Sequence, residues 1–129
     1  MPKSAAFIQI KAGVIEITAN IPVARVTTYR AIGEHLNVMP RHVAYILTTL
    51  SLEEKLVLPW YRVVAEKGAI SMGKLTDRHY TQIEYLKAEG VQFTAKNYVV
   101  NFDELFCLPK QLVTWDNHDK HYLKDGENN

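Results

Sequence analysis

Two short helical patterns follow each other within residues 27–50, and a tight turn at residues 37–39 separates them. The first predicted helix starts at residue 27 or 28 and ends at residue 36. The second covers residues 40–50 and starts with proline, which suits the first position of a helix. Two short helices joined by a turn predict a helix-turn-helix. Packed helix pairs without any DNA role share this outline, so the pattern alone leaves the function open.

The second helix of this pair has two different faces. Its apolar stripe repeats at helical spacing and is expected to face the core: Val43, Ile46, Leu47 and Leu50. Another face is polar and starts with Arg41, and Tyr45 follows one turn later. If the helix pair docks on DNA, Arg41 and Tyr45 are therefore candidate contacts.

The rest of the chain predicts further helices and short strands. In the last long helix, Tyr80, Ile83 and Leu86 are expected to face inward. The predicted fold class is mainly α with small β-hairpins. The remaining predicted elements are helices over Ala5–Ala19 and Asp77–Glu89, a polar loop at 51–55, and hairpins that join 62–65 to 69–71 and 91–93 to 98–102.

The composition is that of one small globular domain, with 129 residues of which 47% are hydrophobic and 22% charged. Residues 1–115 are predicted to form this domain, and the polar residues 116–129 are expected to be a disordered tail. A single cysteine, Cys107, excludes an internal disulfide and a multi-cysteine zinc site. No long apolar run predicts a signal peptide or a membrane span, so we expect a protein of the cytoplasm or nucleoid, or of a eukaryotic nucleus. We also expect the protein to be a monomer.

Charge is distributed unevenly along the chain. Residues 1–100 carry 12 Lys or Arg and 8 Asp or Glu, whereas residues 101–129 carry 3 and 6. A mildly basic body is compatible with nucleic-acid binding, although many inert domains have similar charge.

A proline followed by two aromatic residues, an arginine and a β-branched pair forms the most distinctive stretch, residues 59–64. Pro59 fixes its own φ and favours an extended conformation for the residue before it. The chain therefore reaches Trp60 through a loop whose direction is restricted. Val63 and Val64 favour a strand. By itself this stretch indicates an anchored aromatic ring next to a cation, and an ordinary core tryptophan is an equally good interpretation of Trp60.

Several stretches, in this order, resemble the C-terminal domain of the O6-alkylguanine-DNA alkyltransferases over roughly residues 7–91. More closely, the chain resembles the alkyltransferase-like proteins, in which a tryptophan replaces the reactive cysteine of the Pro-Cys-His-Arg motif. Here that residue is Trp60, and the resemblance implies a winged helix-turn-helix-like DNA-binding domain. The stretches that carry it are Ile21-Pro22, Val26-Thr27-Thr28-Tyr29, Arg41-His42-Val43, Pro59-Trp60-Tyr61-Arg62-Val63-Val64, Gly68-Ala69-Ile70-Ser71 and Leu86-Lys87-Ala88-Glu89-Gly90-Val91.

The resemblance also implies that this chain is not an enzyme and uses no cofactor or metal. Alkyl transfer needs a thiolate that a neighbouring base keeps reactive. Trp60 has no nucleophilic atom, and Tyr61 replaces the histidine that would activate a thiol. Glu89 remains at the position of the orienting acid and is expected to serve structure, whereas Cys107 lies outside the motif. Arg62 is expected to pair with a backbone carbonyl or an acid.

Members of this family place the recognition helix in the minor groove of DNA and rotate a damaged guanine into a pocket. The resemblance implies that Arg41 fills the space of the flipped nucleotide and that Tyr29 presses on the neighbouring phosphate. Trp60 would offer its ring to the base, and backbone groups of Val63 and Val64 would read the base edge. The assigned residues are Thr28, Tyr29, Arg41 and Tyr45 for DNA contact, and Trp60, Tyr61, Val63, Val64 and Lys74 for the lesion pocket.

The chain also departs from the family pattern. Ala24 and Ala44 stand where glycines are usual, and Leu52 replaces an asparagine that braces the active site. Gly73 lies near the place of an arginine that covers the purine, so that Lys74 is the residue able to act for it.

The leading hypothesis is a non-enzymatic sensor that binds O6-alkylguanine in double-stranded DNA, flips it and signals to nucleotide excision repair proteins. One alternative is a helix-turn-helix regulator that reads intact sequence and ignores lesions. Another is a protein-interaction module that has kept the scaffold and lost DNA binding.

Overall fold

The computed structural model describes residues 4–71 and 73–113, and the predicted tail at 116–129 lies outside these ranges. Within them, no helix combines the length and apolar composition needed to cross a membrane. The prediction of a mainly α fold is confirmed. The elements are α1 (Ala5–Ala19), β1 (Thr27–Thr28), α2 (Tyr29–Leu36), α3 (Pro40–Thr48), α4 (Leu52–Val57), β2 (Val63–Val64), α5 (Asp77–Ala88) and α6 (Phe102–Leu105), with 3-10 turns at Trp60–Arg62 and Glu66–Gly68.

Helix α1 has the predicted bounds, and α2 begins one residue after Thr28 because Thr28 is its N-cap. The Thr28 hydroxyl oxygen accepts the backbone N–H of Ala31 at 2.9 Å, which satisfies a donor that a helix start leaves unpaired. Helix α3 is shorter than predicted and ends at Thr48, where the backbone leaves helical geometry at Thr49. The helix-turn-helix prediction is thus confirmed, with small differences at the helix ends.

The turn between α2 and α3 is tightly held. Asn37 adopts the left-handed conformation at φ 62°, and the Val38 N–H donates to the Gly33 carbonyl at 2.8 Å. Gly33 is buried, and a Cβ placed on it would lie 2.6 Å from the Val38 carbonyl oxygen. The close approach of these backbones therefore requires glycine at residue 33.

The prediction that residues 62–65 and 69–71 pair as the two strands of a hairpin is wrong. Strand β2 instead pairs in parallel with β1, so that Thr27 faces Val63 and Thr28 faces Val64. Both valines are fully buried, which suits a parallel pair covered on both faces. The expected turn at residues 66–68 does exist, and the Ala65 N–H closes it by donating to the Ala69 carbonyl at 2.7 Å. The pairing places the aromatic stretch at residues 59–64 directly beside the start of α2.

The second predicted hairpin is present in a reduced form. Phe93 and Val99 form one antiparallel bridge, and the Thr94 N–H donates to the Tyr98 carbonyl at 2.8 Å. The chain then turns at Asn101, which has φ 59°, into α6 rather than continuing as a strand.

The predicted loop at residues 51–55 is wrong, because α4 begins there. A capping box starts this helix: the Ser51 hydroxyl oxygen accepts the Glu54 N–H at 3.1 Å, and the Glu54 carboxylate accepts the Ser51 N–H at 2.8 Å. The helix exposes large apolar side chains, namely Leu52, Leu56 and Val57. Both members of the capping box were visible in the sequence as Ser-x-x-Glu.

The inward face of α5 differs from the prediction at one residue. Ile83 and Leu86 are buried as expected, but Tyr80 is 56% exposed and Gln82 is fully buried in its place. The Gln82 side-chain amide donates to the carbonyl oxygens of Tyr61 and Val63, at 3.1 and 2.8 Å. These two bonds satisfy the side-chain N–H groups and fix α5 to the segment that carries the aromatic motif, whereas Gln82 Oε1 is buried with no hydrogen-bond partner among the described residues.

The backbone at Ala24 is strained, with φ 64°, in the region that glycine enters freely. We expect Ala24→Gly to raise the free energy of unfolding by about 0.5–1 kcal/mol, because relief of left-handed strain exceeds the added freedom of the unfolded chain. Urea denaturation measures this change. The matched control is Ala44→Gly, which places glycine inside α3 and should lower stability by about 1 kcal/mol. A stability equal to or below wild type for Ala24→Gly would contradict the prediction.

Candidate nucleic-acid interface

Helix α3 presents a polar face to solvent. Arg41, His42 and Thr48 are exposed, and Tyr45 is 53% exposed. None of the ion pairs found in residues 4–71 and 73–113 includes Arg41, so its guanidinium is available to an external anion. A cation, a phenol and a hydroxyl on one exposed helix face can contact phosphate, sugar and base groups.

The two residues predicted at the start of α2 have different environments. Tyr29 is half-buried and packs against the apolar core. Thr28 is 6% exposed and its hydroxyl caps α2, so the structure gives it a part in positioning Tyr29. A DNA contact by either residue stays a prediction.

Trp60 lies beneath other side chains rather than at an open surface. It is 6% exposed, and its ring packs in edge-to-face geometry with Tyr61 and Tyr85, whose ring centroids lie 5.7 and 6.2 Å away. The guanidinium carbon of Arg78 lies 4.5 Å from the centroid of the Trp60 ring. The predicted stacking surface of Trp60 is therefore covered by Arg78 in this structure.

Tyr61, Arg62 and Glu89 form a hydrogen-bonded cluster next to this ring. Arg62 donates through Nε and Nη2 to the Glu89 carboxylate at 3.0 and 2.5 Å, and through Nη1 to the carbonyl of Ile21 at 2.7 Å. The Tyr61 hydroxyl and the Ala24 N–H also donate to Glu89, at 3.1 and 2.9 Å. The expectations that Arg62 pairs with an acid and a carbonyl, and that Glu89 serves structure, are confirmed.

Burial and charge set the protonation states in this cluster. Burial and the hydrogen bond to Glu89 raise the pKa of Tyr61, so its hydroxyl stays protonated and donates. Burial opposes ionisation of Glu89, but the Arg62 guanidinium and the Ala24 N–H outweigh it and hold the pKa of Glu89 below its usual value. This cluster keeps the Glu89 carboxylate ionised and stabilises the fold. Tyr61 cannot act as a base near neutral pH.

A cleft of about 490 Å³ opens beside the cluster, between α4 and α5. Among the predicted pocket residues, Tyr61 lines this cleft, together with Tyr85 and Glu89. Val63 and Val64 are fully buried, and the carbonyl of Val63 already accepts the Gln82 amide. Lys74 is exposed and does not line the cleft. Of the predicted pocket residues, Tyr61 therefore lines this cleft, whereas Trp60, which packs against Tyr61, and Lys74 do not.

Two residues at the site, Arg78 and Tyr85, were missed by sequence reasoning. Both lie on α5, and with Gln82 and Glu89 they repeat at helical spacing along the face that packs on the aromatic motif. That spacing of polar residues was the available signal, but it becomes meaningful only once the face is known to meet Trp60.

Comparison with known proteins identifies the family and the fold. Residues 9–91 match the model of the family described as 6-O-methylguanine DNA methyltransferase, DNA binding domain. No curated protein sequence matches the chain.

Solved structures extend the agreement over most of the described fold. A crystal structure of S. pombe Atl1 in complex with damaged DNA containing O6-carboxymethylguanine is 26% identical, covers 83% of this chain and 98% of that one, and has a TM-score of 0.67. A second structure, of S. pombe ATL in complex with DNA, has the same coverage and TM-score at 24% identity and supports the fold. The chain therefore belongs to the family of the 6-O-methylguanine DNA methyltransferase DNA-binding domain, and it is of the alkyltransferase-like type.

Proposed function

We propose that this protein is a non-enzymatic DNA-damage sensor, which binds O6-alkylguanine in duplex DNA, flips the base and signals to nucleotide excision repair proteins. The proposal rests on Trp60, at the position that the resemblance assigns to the reactive cysteine, and on the Tyr61 hydroxyl, which donates to Glu89. Neither side chain supplies a nucleophile. Cys107, the chain's one thiol, is buried and lies near the Leu105 carbonyl instead.

The exposed face of α3 supplies the docking surface in this proposal. Arg41 is the second residue of α3, has no acidic partner in the described chain, and can enter the base stack as the lesion leaves it. A flipped base that displaces Arg78 and stacks on the Trp60 ring would gain about 1–3 kcal/mol, which is comparable to the few kcal/mol that extrusion needs. Tyr29 lies within the same helix pair and is the candidate for the neighbouring phosphate.

Fluorescence anisotropy with two duplexes that differ by one O6-methylguanine tests the sensor function. We expect wild type to bind the lesion duplex more tightly than the guanine duplex, and Arg41→Ala to lose about tenfold in affinity for the lesion. Arg30→Ala is the matched control, because Arg30 is also an exposed arginine of the helix pair but is engaged by Glu34 and Glu66.

The same titration separates the alternatives. Equal affinity for the two duplexes would exclude lesion sensing, and a preference for one undamaged site would favour a helix-turn-helix regulator. No measurable DNA affinity at low salt would favour a protein-interaction module, since phosphate contacts are strongest there.

A further inference from the structure

Helix α4 exposes its apolar side chains to solvent instead of packing them on the core. Leu52, Leu56 and Val57 are 76%, 79% and 79% exposed, more than any other large apolar residue in the described part of the chain. No residue of α4 is buried, so its capping box rather than core packing accounts for the helix. Single exposed leucines are common on protein surfaces, but three such residues on one six-residue helix form a patch that is typical of an interaction site.

The cleft of about 490 Å³ between α4 and α5 continues this patch, because Leu56 and Val57 form part of its wall. Two of the charged residues in the wall, Arg62 and Glu89, bind each other. Lys55 is the remaining charged residue there, and none of the ion pairs found in the described ranges includes it. The cleft therefore offers apolar surface and one available cation.

This surface is separate from the predicted DNA contacts. The cleft is lined neither by Trp60 nor by any of the residues assigned to DNA contact, which are Thr28, Tyr29, Arg41 and Tyr45. Aliphatic side chains also offer no hydrogen bond or charge to the phosphate backbone, which receives most contacts in a protein–DNA complex. We therefore expect α4 to stay free for another macromolecule when α3 faces DNA.

The size of the patch favours a single helix of another protein over a second copy of this chain. A stable dimer needs about 800 Å² from each partner. Even a large aromatic side chain buries only about 150–250 Å², so three smaller aliphatic side chains stay below that requirement. Leu52 and Leu56 lie one turn apart on the same face and can pack against the apolar stripe of an amphipathic helix. Lys55 favours an acidic residue beside that stripe.

We propose that α4 and the adjoining cleft are the docking site for an acidic amphipathic helix of a nucleotide excision repair protein. This inference rests on the proposed function, because a sensor without catalytic activity acts only through another protein. Aliphatic residues of the partner helix pack on Leu52, Leu56 and Val57, and an acidic residue pairs with Lys55.

Two measurements on the full-length protein test the site. One is its affinity for the O6-methylguanine and guanine duplexes, and the other is its stimulation of incision of the lesion duplex by purified excision-repair proteins, below saturation. We expect the double variant Leu52→Gln, Leu56→Gln to bind both duplexes as wild type does and to stimulate incision roughly tenfold less. Glutamine and leucine have similar helix propensities, so α4 should persist.

Ile8→Gln is the matched control, because Ile8 is another exposed apolar residue of a helix, α1. It should bind DNA and stimulate incision as wild type does. The urea midpoint of the double variant should equal that of wild type, since neither leucine is buried. A clear decrease would indicate a structural role of the two leucines and overturn the proposal.

Lys55 tests the charge of the partner. Lys55→Glu should lower the stimulation of incision by about fivefold at low salt and by less at high salt, because the attraction is screened. Lys55→Arg keeps the charge and should behave as wild type. A Lys55→Glu variant that stimulates incision as well as wild type would overturn the acidic partner.

The wild-type and variant results separate the two proposals. If wild type does not distinguish the lesion, the proposed function is wrong whatever α4 binds. If wild type binds the lesion and stimulates incision, and the double variant does both equally well, the docking site alone is wrong. Lost DNA affinity in the double variant would assign α4 to DNA contact and overturn the proposal. So would a wild-type dimer in sedimentation experiments that the double variant abolishes, because the patch would then bind a second copy.

Discussion

Replacing Glu89 with alanine is expected to lower the free energy of unfolding by about 3–5 kcal/mol, the range found when one partner of a buried ion pair is removed. The Arg62 and Glu89 side chains are 11% and 13% exposed, so water solvates the guanidinium left behind only in part. The Tyr61 hydroxyl and the Ala24 N–H lose their acceptor in the same variant. Urea denaturation followed by circular dichroism measures the change.

A surface ion pair gives the control for Glu89→Ala. Glu34 is exposed and pairs with Arg30 one turn away, so Glu34→Ala should change stability by less than about 0.5 kcal/mol. A loss below about 1 kcal/mol in Glu89→Ala would mean that the cluster contributes little, against the prediction.

The pH dependence of stability is a second readout on Glu89. Its pKa in the folded protein is lowered from an ordinary value of 4.5, so its contribution is fully present above about pH 4.5 and is lost as the pH falls through the folded value. Glu89→Gln cannot titrate, and its stability should therefore lack that part of the acid decrease. If the stability of Glu89→Gln decreases at low pH as much as that of wild type, groups other than Glu89 cause the decrease, against the prediction.

Gly33→Ala is expected to destabilise the protein by roughly 2–3 kcal/mol, because the new Cβ forces apart two backbones in a packed turn. The Cβ would lie 2.6 Å from the Val38 carbonyl oxygen and 3.3 Å from the Pro40 nitrogen, and neither atom belongs to a flexible side chain. Relief of the clash must move α3 relative to α2, so DNA affinity should fall even where the variant remains folded.

The matched control for Gly33→Ala is Gly13→Ala, another glycine inside a helix. Its Cβ would approach the end of the Leu36 side chain at 2.9 Å, which can rotate away. We therefore expect Gly13→Ala to be neutral or to gain up to about 1 kcal/mol from helix propensity. Equal stability of the two alanine variants, measured by thermal denaturation, would contradict the assigned role of Gly33.

Local patterns predicted the helix-turn-helix because the needed information lies within a few turns of chain. The apolar stripe of α3, the proline at its start and the threonine before α2 each act on neighbouring residues. The capping box of α4 was just as local, but the exposed Leu52 and Leu56 do not form a stripe that faces the core, and the helix was missed.

Pairing and burial between distant segments were not predictable in the same way. The pairing of Thr27 with Val63 depends on how two remote segments meet, and no periodicity in either segment encodes its partner. Gln82 is buried because carbonyls of another segment receive its amide. The roles of Arg78 and Tyr85 likewise depend on where Trp60 is packed.

The parallel pairing of β1 with β2 has a mechanical consequence. Thr28 ends β1 and caps α2, while Val63 and Val64 follow the aromatic motif, so the two parts of the interface share one short ladder. In the proposed complex this ladder joins the helix pair that meets the groove to the segment that receives the extrahelical nucleotide. Because bending and unstacking the DNA cost less in an easily deformed duplex, we expect a lesion in such a duplex to be bound more tightly.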